Sequence, residues 1–283
     1  MATSSPAVSN ARERVERICQ STPEATQLRV GVLDQIRRVI DFDAHVWLLT
    51  DPSTTVGSAP LAEVPCLLEL PEAIKLKYLT TVNRWTRLHE DGATARTLWQ
   101  ATGRDPSQSL LWRGMLSRYG IGDVASMVFA NRFGMWGFLD LWRQDSKEPF
   151  SADEAAFLSS ISHPLTVALQ SCQAHTLTAP AVPAGRELGP VVFLLDDGLR
   201  ILGQTPASQP WLEILLPPAG ESPPVPASVY NVAGQLLATE QGVDAHPATA
   251  RVHLSKGFWV TLRAARLNPS AAVRDAVLTV TME

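Results

Sequence analysis

Cysteine is scarce. Cys19, Cys66 and Cys172 are the only three in 283 residues. An odd number at wide spacing gives neither a disulfide framework nor a zinc-ligand pattern, so the expected environment is reducing and cytoplasmic. Excess positive charge is also missing: 24 Lys and Arg stand against 28 Asp and Glu, a net charge of −4. A chain with no basic surplus has little with which to neutralise phosphates, and direct nucleic-acid binding is not expected of it. Long apolar runs are absent as well. Val191 to Leu195 is short beside the roughly 18–20 residues that span a bilayer, so no membrane association is expected. Met1 to Ala11 has neither a basic start nor an apolar centre and does not read as a signal peptide. No Gly-rich phosphate loop, His-Glu-x-x-His, Cys-x-x-Cys or Gly-x-Ser-x-Gly is present, so no catalytic site, metal site or cofactor is expected.

What the chain does have is apolar material, at 45% of residues, and tryptophan, at eight. The length suits two domains at roughly 100–200 residues each. Composition changes near residue 175: residues 1–170 hold six of the eight Trp and nine of the 21 Pro. Ala174 to Pro190, with Pro180, Pro183, Pro190, Gly185 and Gly189, cannot continue a helix. The division expected is therefore 1–173, a linker at 174–188, and 189–283.

The first region predicts a short helix over Ala11–Gln20. A second helix has Thr22 as N-cap and Pro23 at its first position, with Leu28, Val32, Ile36 and Ile40 on one face. A strand follows at Ala44–Thr50, broken by Asp51-Pro52. Helices are expected over Glu72–Trp85 and over Leu110–Tyr119, the latter closed by Gly120. Strands Asp123–Ala130 and Met135–Trp142 form a hairpin turning at Asn131-Arg132-Phe133-Gly134. Ser151-Ala152-Asp153-Glu154 is a capping box that opens a long helix, and Pro164 predicts a kink or break within it. The second region predicts strands Val191–Leu195 and Arg200–Gly203, then helices Ser208–Leu216 and Ala227–Ala238. Strands Arg251–Leu254, Trp259–Arg266 and Ala276–Thr281 complete a five-stranded sheet. Both regions are α+β.

Several segments together resemble the sensor region of actinobacterial LuxR-type transcriptional regulators. They are Phe42 to Pro52, Val56 to Ala62, Leu110 to Arg113, and Gly137 to Arg143, which reads Gly-Phe-Leu-Asp-Leu-Trp-Arg. Residues 1–173 resemble a GAF domain. Residues 189–282 resemble the PAS-like domain that follows it in that family, through Gly203-Gln204-Thr205-Pro206 and Trp259 to Arg266. The resemblance implies a GAF-like antiparallel sheet flanked by helices, followed by a smaller PAS-like five-stranded α+β domain. It implies a non-enzymatic sensor that binds a small-molecule effector or a partner protein domain and relays its state to DNA through a C-terminal helix-turn-helix. Family members carry that domain beyond the last PAS-like strand. This chain stops at Glu283, and no segment of it reads as a basic recognition helix. GAF domains often pair through their terminal helices, so Ala11–Gln20 and Ser151–Gln173 are expected at a homodimer interface.

The residues expected to line a ligand pocket are Trp47, Trp112, Met127, Phe129, Trp136 and Phe138. The indole N–H of tryptophan wants a partner, and packing so many of them into one small core is costly unless some face a cavity. Strand alternation puts Trp136 and Phe138 on one face, and Met127 and Phe129 on one face of the neighbouring strand. The alternative functions are a ligand-free interaction and dimerisation module, and a thiol redox enzyme using Cys66. Glu63 and Glu69 flank that cysteine and disfavour its thiolate. His45 and His163 read as structural. Asn131-Arg132, Phe150 and Asp153-Glu154 resemble the motif of cyclic-nucleotide-binding GAF domains, but Phe150 and Asp153 stand one residue too close together. A hairpin turn and a helix cap account for the same residues.

Overall fold

A computed structural model describes residues 6–178, 191–206, 208, 227–253, 259–267 and 277–283. The expected helix Ser208–Leu216 and the turn at Ser255-Lys256-Gly257 fall almost wholly outside these residues. So does most of the expected linker. The protein is α+β, with two antiparallel five-stranded sheets and flanking helices. Described residues of 1–49, 60–65 and 81–177 group into one compact unit, and those of 50–59, 66–80 and 178–283 into a second. Among the described residues no helix is long and apolar enough to cross a membrane.

The first sheet contains β1 (Ala44–Thr50), β2 (Gly57–Glu63), β3 (Ala95–Thr97), β4 (Ile121–Asn131) and β5 (Gly134–Gln144), in the order β2-β1-β5-β4-β3. The predicted hairpin is its centre: β4 and β5 pair from Ile121↔Gln144 to Asn131↔Gly134, with β-bulges near both ends. β2 and β3 were not expected. β2 carries Pro60, which has no N–H to give a ladder and is tolerated because β2 is an edge strand. Close approach makes Gly137 obligatory in β5, since a Cβ there would stand 2.6 Å from the Leu48 carbonyl oxygen.

One face of this sheet is covered by α1 (Pro6–Ser21), α2 (Ala25–Ile36) and α7 (Ala152–Thr178). Val15 of α1, Leu28, Val32 and Ile36 of α2, and Leu158, Ile161 and Leu165 of α7 close over Trp47, Met127, Phe129, Leu139 and Leu141 to form the main core. The N-cap of α2 is Glu24 rather than the expected Thr22. Its carboxylate accepts from the amides of Thr26 (2.8 Å) and Gln27 (2.7 Å), so the helix begins after Pro23 and not at it. The capping box of α7 forms as expected: the Glu154 amide donates to Ser151 Oγ (3.2 Å) and the Ser151 amide donates to Glu154 Oε2 (2.7 Å). Of the kink or break expected at Pro164, the break does not occur: α7 runs through it as one helix.

The expected helix Glu72–Trp85 is instead two helices, α3 (Leu70–Leu79) and α4 (Trp85–Glu90). Thr80 leaves α3 in an extended conformation (φ −71°, ψ 139°) and Asn83 adopts a left-handed one (φ 49°), which Asn tolerates better than most residues. α5 (Leu98–Ala101) and α6 (Leu110–Gly114) follow. The helix expected over Leu110–Tyr119 is interrupted at Met115 (φ −143°) and resumes as a 3₁₀ turn ending at Gly120, whose φ of 65° makes it the predicted stop.

The second sheet contains β6 (Val191–Leu195), β7 (Ile201–Gln204), β8 (Thr249–His253), β9 (Trp259–Arg266) and β10 (Leu278–Met282), in the order β7-β6-β10-β9-β8. Numbered within each unit, both sheets have the order second, first, fifth, fourth, third. α8 (Ala227–Glu240) packs against both β9 and α3, which explains why residues around most of its circumference are buried. The excursion 50–80 is tied into this unit by specific bonds. Asn231 Nδ2 donates to the Gly57 carbonyl (3.0 Å), and the Gly57 amide donates to the Tyr78 hydroxyl (2.9 Å). The buried Asp51 carboxylate accepts from the Arg251 amide (2.9 Å) and from Arg251 Nε (3.2 Å).

Candidate ligand-binding face

Strand alternation and cross-strand register define the sheet face opposite α1, α2 and α7 in the first unit. Phe138 pairs with Leu48 on one side and Val128 on the other, and Asp140 pairs with Val46 and Ser126. Trp85, the first residue of α4, stacks on Phe138 with ring centroids 4.5 Å apart and planes within 10°. The Arg84 guanidinium lies 4.4 Å from the centroid of the Trp85 ring, and its Nε donates to Thr86 Oγ1 (3.1 Å). Arg84 is 0% exposed.

Beside this stack the Ser126 hydroxyl donates to Asp140 Oδ1 (2.7 Å), with both residues buried. Asn83 Nδ2 donates to the Arg96 carbonyl (3.2 Å), whereas Asn83 Oδ1 is buried without a hydrogen-bond donor. Trp142 Nε1, two residues along β5 from Asp140, is likewise buried and unpartnered. The face therefore offers an aromatic slab, a cation held over it, a carboxylate–hydroxyl pair and two unsatisfied polar atoms. No histidine or cysteine stands among these residues.

The six residues expected to line a pocket do not gather around one space. Trp47, Met127 and Phe129 lie in the helix-side core, where Trp47 and Phe129 stack at 5.1 Å. Trp47 Nε1 is buried there with no acceptor. Trp112 is half-buried in α6, and its Nε1 donates to the Ile121 carbonyl (2.8 Å). Trp136 packs against the helix-side core and donates to Asn131 Oδ1 (3.1 Å). Phe138 lies on the opposite face. Trp136 and Phe138 thus do not share a face, because the β-bulge at Phe129/Ala130 puts an extra residue into β5 between Met135 and Gly137. Met127 and Phe129 do share one, as alternation predicts.

Asn83, Arg84 and Trp85 are not legible as site residues in the sequence, where the apolar spacing continues the expected helix through Trp85. A signal was available: Thr80-Thr81-Val82-Asn83 strings β-branched residues onto an Asn, a poor helix interior and a good turn.

Other charged groups lie near the ends of β1, β4 and β5. Asp123 accepts from the amides of Trp99, Val124 and Phe150 at 2.8–2.9 Å. Burial nevertheless raises its pKa above the usual carboxylate range. Arg143 Nη2 pairs with Glu154 Oε1 (2.7 Å), Arg143 Nε donates to the Asp41 carbonyl (2.8 Å), and the guanidinium lies 3.9 Å over the Phe150 ring. Burial alone would raise Glu154, but the hydrogen bonds from Arg143 and the Ser151 amide bring it below its ordinary value. His45, 3.8 Å from Glu63, is held below the usual imidazole range by burial and by Arg37. Among the described residues no group of three His, Cys, Asp or Glu side chains is placed to hold a metal ion. Cys66 is 1% exposed.

No protein-family model matches the chain, and no curated protein matches it. Solved structures do. The GAF domain of a two-component sensor histidine kinase from Bacillus halodurans is 13% identical over 54% of this chain and 99% of that one, with a TM-score of 0.38. The GAF domain of a phosphoenolpyruvate-protein phosphotransferase from Coxiella burnetii is 14% identical over 60% and 98%, with a TM-score of 0.41. A bacteriophytochrome from R. palustris is 12% identical over 98% of this chain and 64% of that one, with a TM-score of 0.41. The first unit is an antiparallel five-stranded sheet with helices over one face, and the second unit holds a second five-stranded sheet.

Proposed function

We propose that the chain is the signal-sensing region of a transcriptional regulator of the LuxR type, cytoplasmic and non-enzymatic. A small effector or a partner domain would be received on the Trp85–Phe138 face, and its presence relayed to a DNA-binding domain outside these 283 residues. The second unit serves as the PAS-like domain of that pair, a reading supported by its repeating the first sheet's strand order. The observation that carries the proposal is the guanidinium of Arg84, wholly buried over an aromatic stack. Its charge stands on the sheet face away from the main core, held by Thr86 Oγ1 and by the Trp85 ring. Binding then acts by favouring one of two conformations, to the extent that the effector's affinity differs between them.

The test is thermal denaturation against a panel of planar, polar metabolites. An effector at 100 times its dissociation constant adds roughly 2.7 kcal/mol of stability. Phe138→Leu, which keeps the volume apolar and removes the stack, should reduce that gain. A gain equal in wild type and variant would remove this face from recognition.

Dimerisation is a second part of the reading. Val167 of α7 is 51% exposed, an apolar residue within Ser151–Gln173, one of the two helical segments expected at a homodimer interface. Sedimentation of wild type and Val167→Glu tests it: a dimer that the variant dissociates is expected, and a monomeric wild type would overturn this part.

A further inference from the structure

The sheet face that carries the Trp85–Phe138 stack is closed. Arg84, Trp85, Ser126, Phe138 and Asp140 are each 3% exposed or less. Two nearly parallel rings with centroids 4.5 Å apart leave no gap for a third between them. A molecule therefore reaches Phe138 only after something moves. The element over Phe138 is α4, six residues long, which lies against β4 with Trp85, Thr86 and Leu88 buried. Its other side is charged and half-exposed, where Arg87 pairs with Glu90 at 3.4 Å.

Both ends of α4 are placed to turn. Asn83 and Gly92 flank it in left-handed conformations, with φ of 49° and 68°. An added Cβ at Gly92 would meet nothing within 4 Å, so no neighbour holds that position. No side chain caps the first turn of α4. Both ends are tied to one residue of the edge strand β3. Asn83 Nδ2 donates to the Arg96 carbonyl (3.2 Å), and Arg96 Nη1 pairs with Asp91 Oδ2 (2.9 Å). Beyond Gly92 the chain is fixed again, because the Val128 amide donates to the Thr94 carbonyl (2.9 Å). The closed position is a balance. Burial of Trp85 and Leu88 favours it. Against it stand Asn83 Oδ1, buried without a donor, and the enclosed Arg84 guanidinium, both of which regain water on opening.

We propose that α4 is a lid, hinged at Asn83 and Gly92 and clasped by Arg96, which opens to bare Phe138 to an effector, a device that rests on this face being the receiving one. The Arg96–Asp91 pair is partly exposed and makes a weak clasp, so the lid opens in the native protein while the sheet stays intact. An effector that binds only the open form shifts the population toward it.

The test is iodoacetamide labelling of the whole chain carrying Val128→Cys, read by peptide mass mapping. Val128 is buried and pairs with Phe138 in register, whereas Cys172 is buried in the core on the other, helix-covered side of the sheet. Each native rate is divided by that of the same thiol in denaturant. The thiol at position 128 should then label at least about tenfold faster than Cys172, because local opening exposes one and not the other. Arg96→Met should speed labelling at 128 about two- to fivefold by removing the clasp. Gly92→Ala should speed it about fivefold or more, since alanine disfavours the left-handed hinge. Neither should change Cys172. Ser126→Cys, on the same face, gives the same reading if Val128→Cys does not fold. Equal corrected rates at 128 and Cys172, or labelling at 128 unmoved by both Arg96→Met and Gly92→Ala, would overturn the lid. The measurement needs no effector. Fast labelling at 128 with no ligand found supports the lid and counts against the receiving face, whereas slow labelling beside saturable binding at Phe138 overturns the lid alone.

Discussion

Trp85 and Phe138 lie nearly parallel, 4.5 Å between centroids, on the sheet face away from the main core. They are 53 residues apart in sequence and meet because the chain breaks its helix at Thr80–Arg84 and restarts it over β4 and β5. Both are buried, so the stack contributes to stability as well as to recognition. Phe138→Ala should cost about 3 kcal/mol, which denaturant unfolding monitored by tryptophan fluorescence will register. A loss below about 1 kcal/mol would mean that the ring is not packed as described.

The Arg143–Glu154 pair makes stability depend on pH in a definite direction. Glu154 titrates lower in the folded protein than in the unfolded chain. Its contribution is therefore complete above the unfolded glutamate pKa of about 4.3 and is lost as pH falls through the lower folded value. Arg143 is 7% exposed at its side chain and also serves the Asp41 carbonyl. Arg143→Ala should cost about 3 kcal/mol at neutral pH and remove much of the acid dependence, as measured by unfolding midpoints across pH 3–7. An acid profile equal to that of wild type would assign the dependence to other carboxylates.

The second unit draws on two stretches of sequence. Asn231 reaches Gly57 across 174 positions, and Gly234 lies against Tyr78, where an added Cβ would stand 3.1 Å from the ring. A fragment of residues 189–283 lacks α3 and the segment 50–59, and circular dichroism should show it largely unfolded. Gly234→Ala in the whole chain should cost about 1–3 kcal/mol through overpacking. A fragment with a cooperative thermal transition would contradict this account of the unit.

The elements read correctly from sequence are those whose signals are local. β1 follows from its β-formers, the β4–β5 hairpin from Asn131 and Gly134, and the start of α7 from Ser151 and Glu154. What escaped depends on partners distant in sequence. β2 carries a proline and a residue at positive φ, Ala59 (42°), and becomes a strand because β1 stands beside it. The face of Trp136 depends on a bulge whose unpaired residue shows only against β4. The grouping of residues 50–59 and 66–80 with the C-terminal half has no signature in composition. The polar part of the candidate site was illegible for the same reason: Arg84 looks like a solvated helix residue until the sheet above it is known.

The thiols should be inert in the native state. Burial, with Cys172 and Glu16 adding, pushes Cys19 up to about 12, and burial likewise raises Cys172. Cys66 is enclosed. Native protein at pH 7.5 should take up iodoacetamide far more slowly than free cysteine, with all three thiols reacting in denaturant. Rapid native alkylation of Cys66 would revive a redox role for it.

The central claim is that the Trp85–Phe138 face receives a ligand, and native mass spectrometry of protein purified from its own host tests it most directly. A small molecule retained by wild type, released on denaturation and depleted in Phe138→Leu is the predicted result. A bare polypeptide mass for both proteins, with melting temperatures unmoved by host extract, would contradict it.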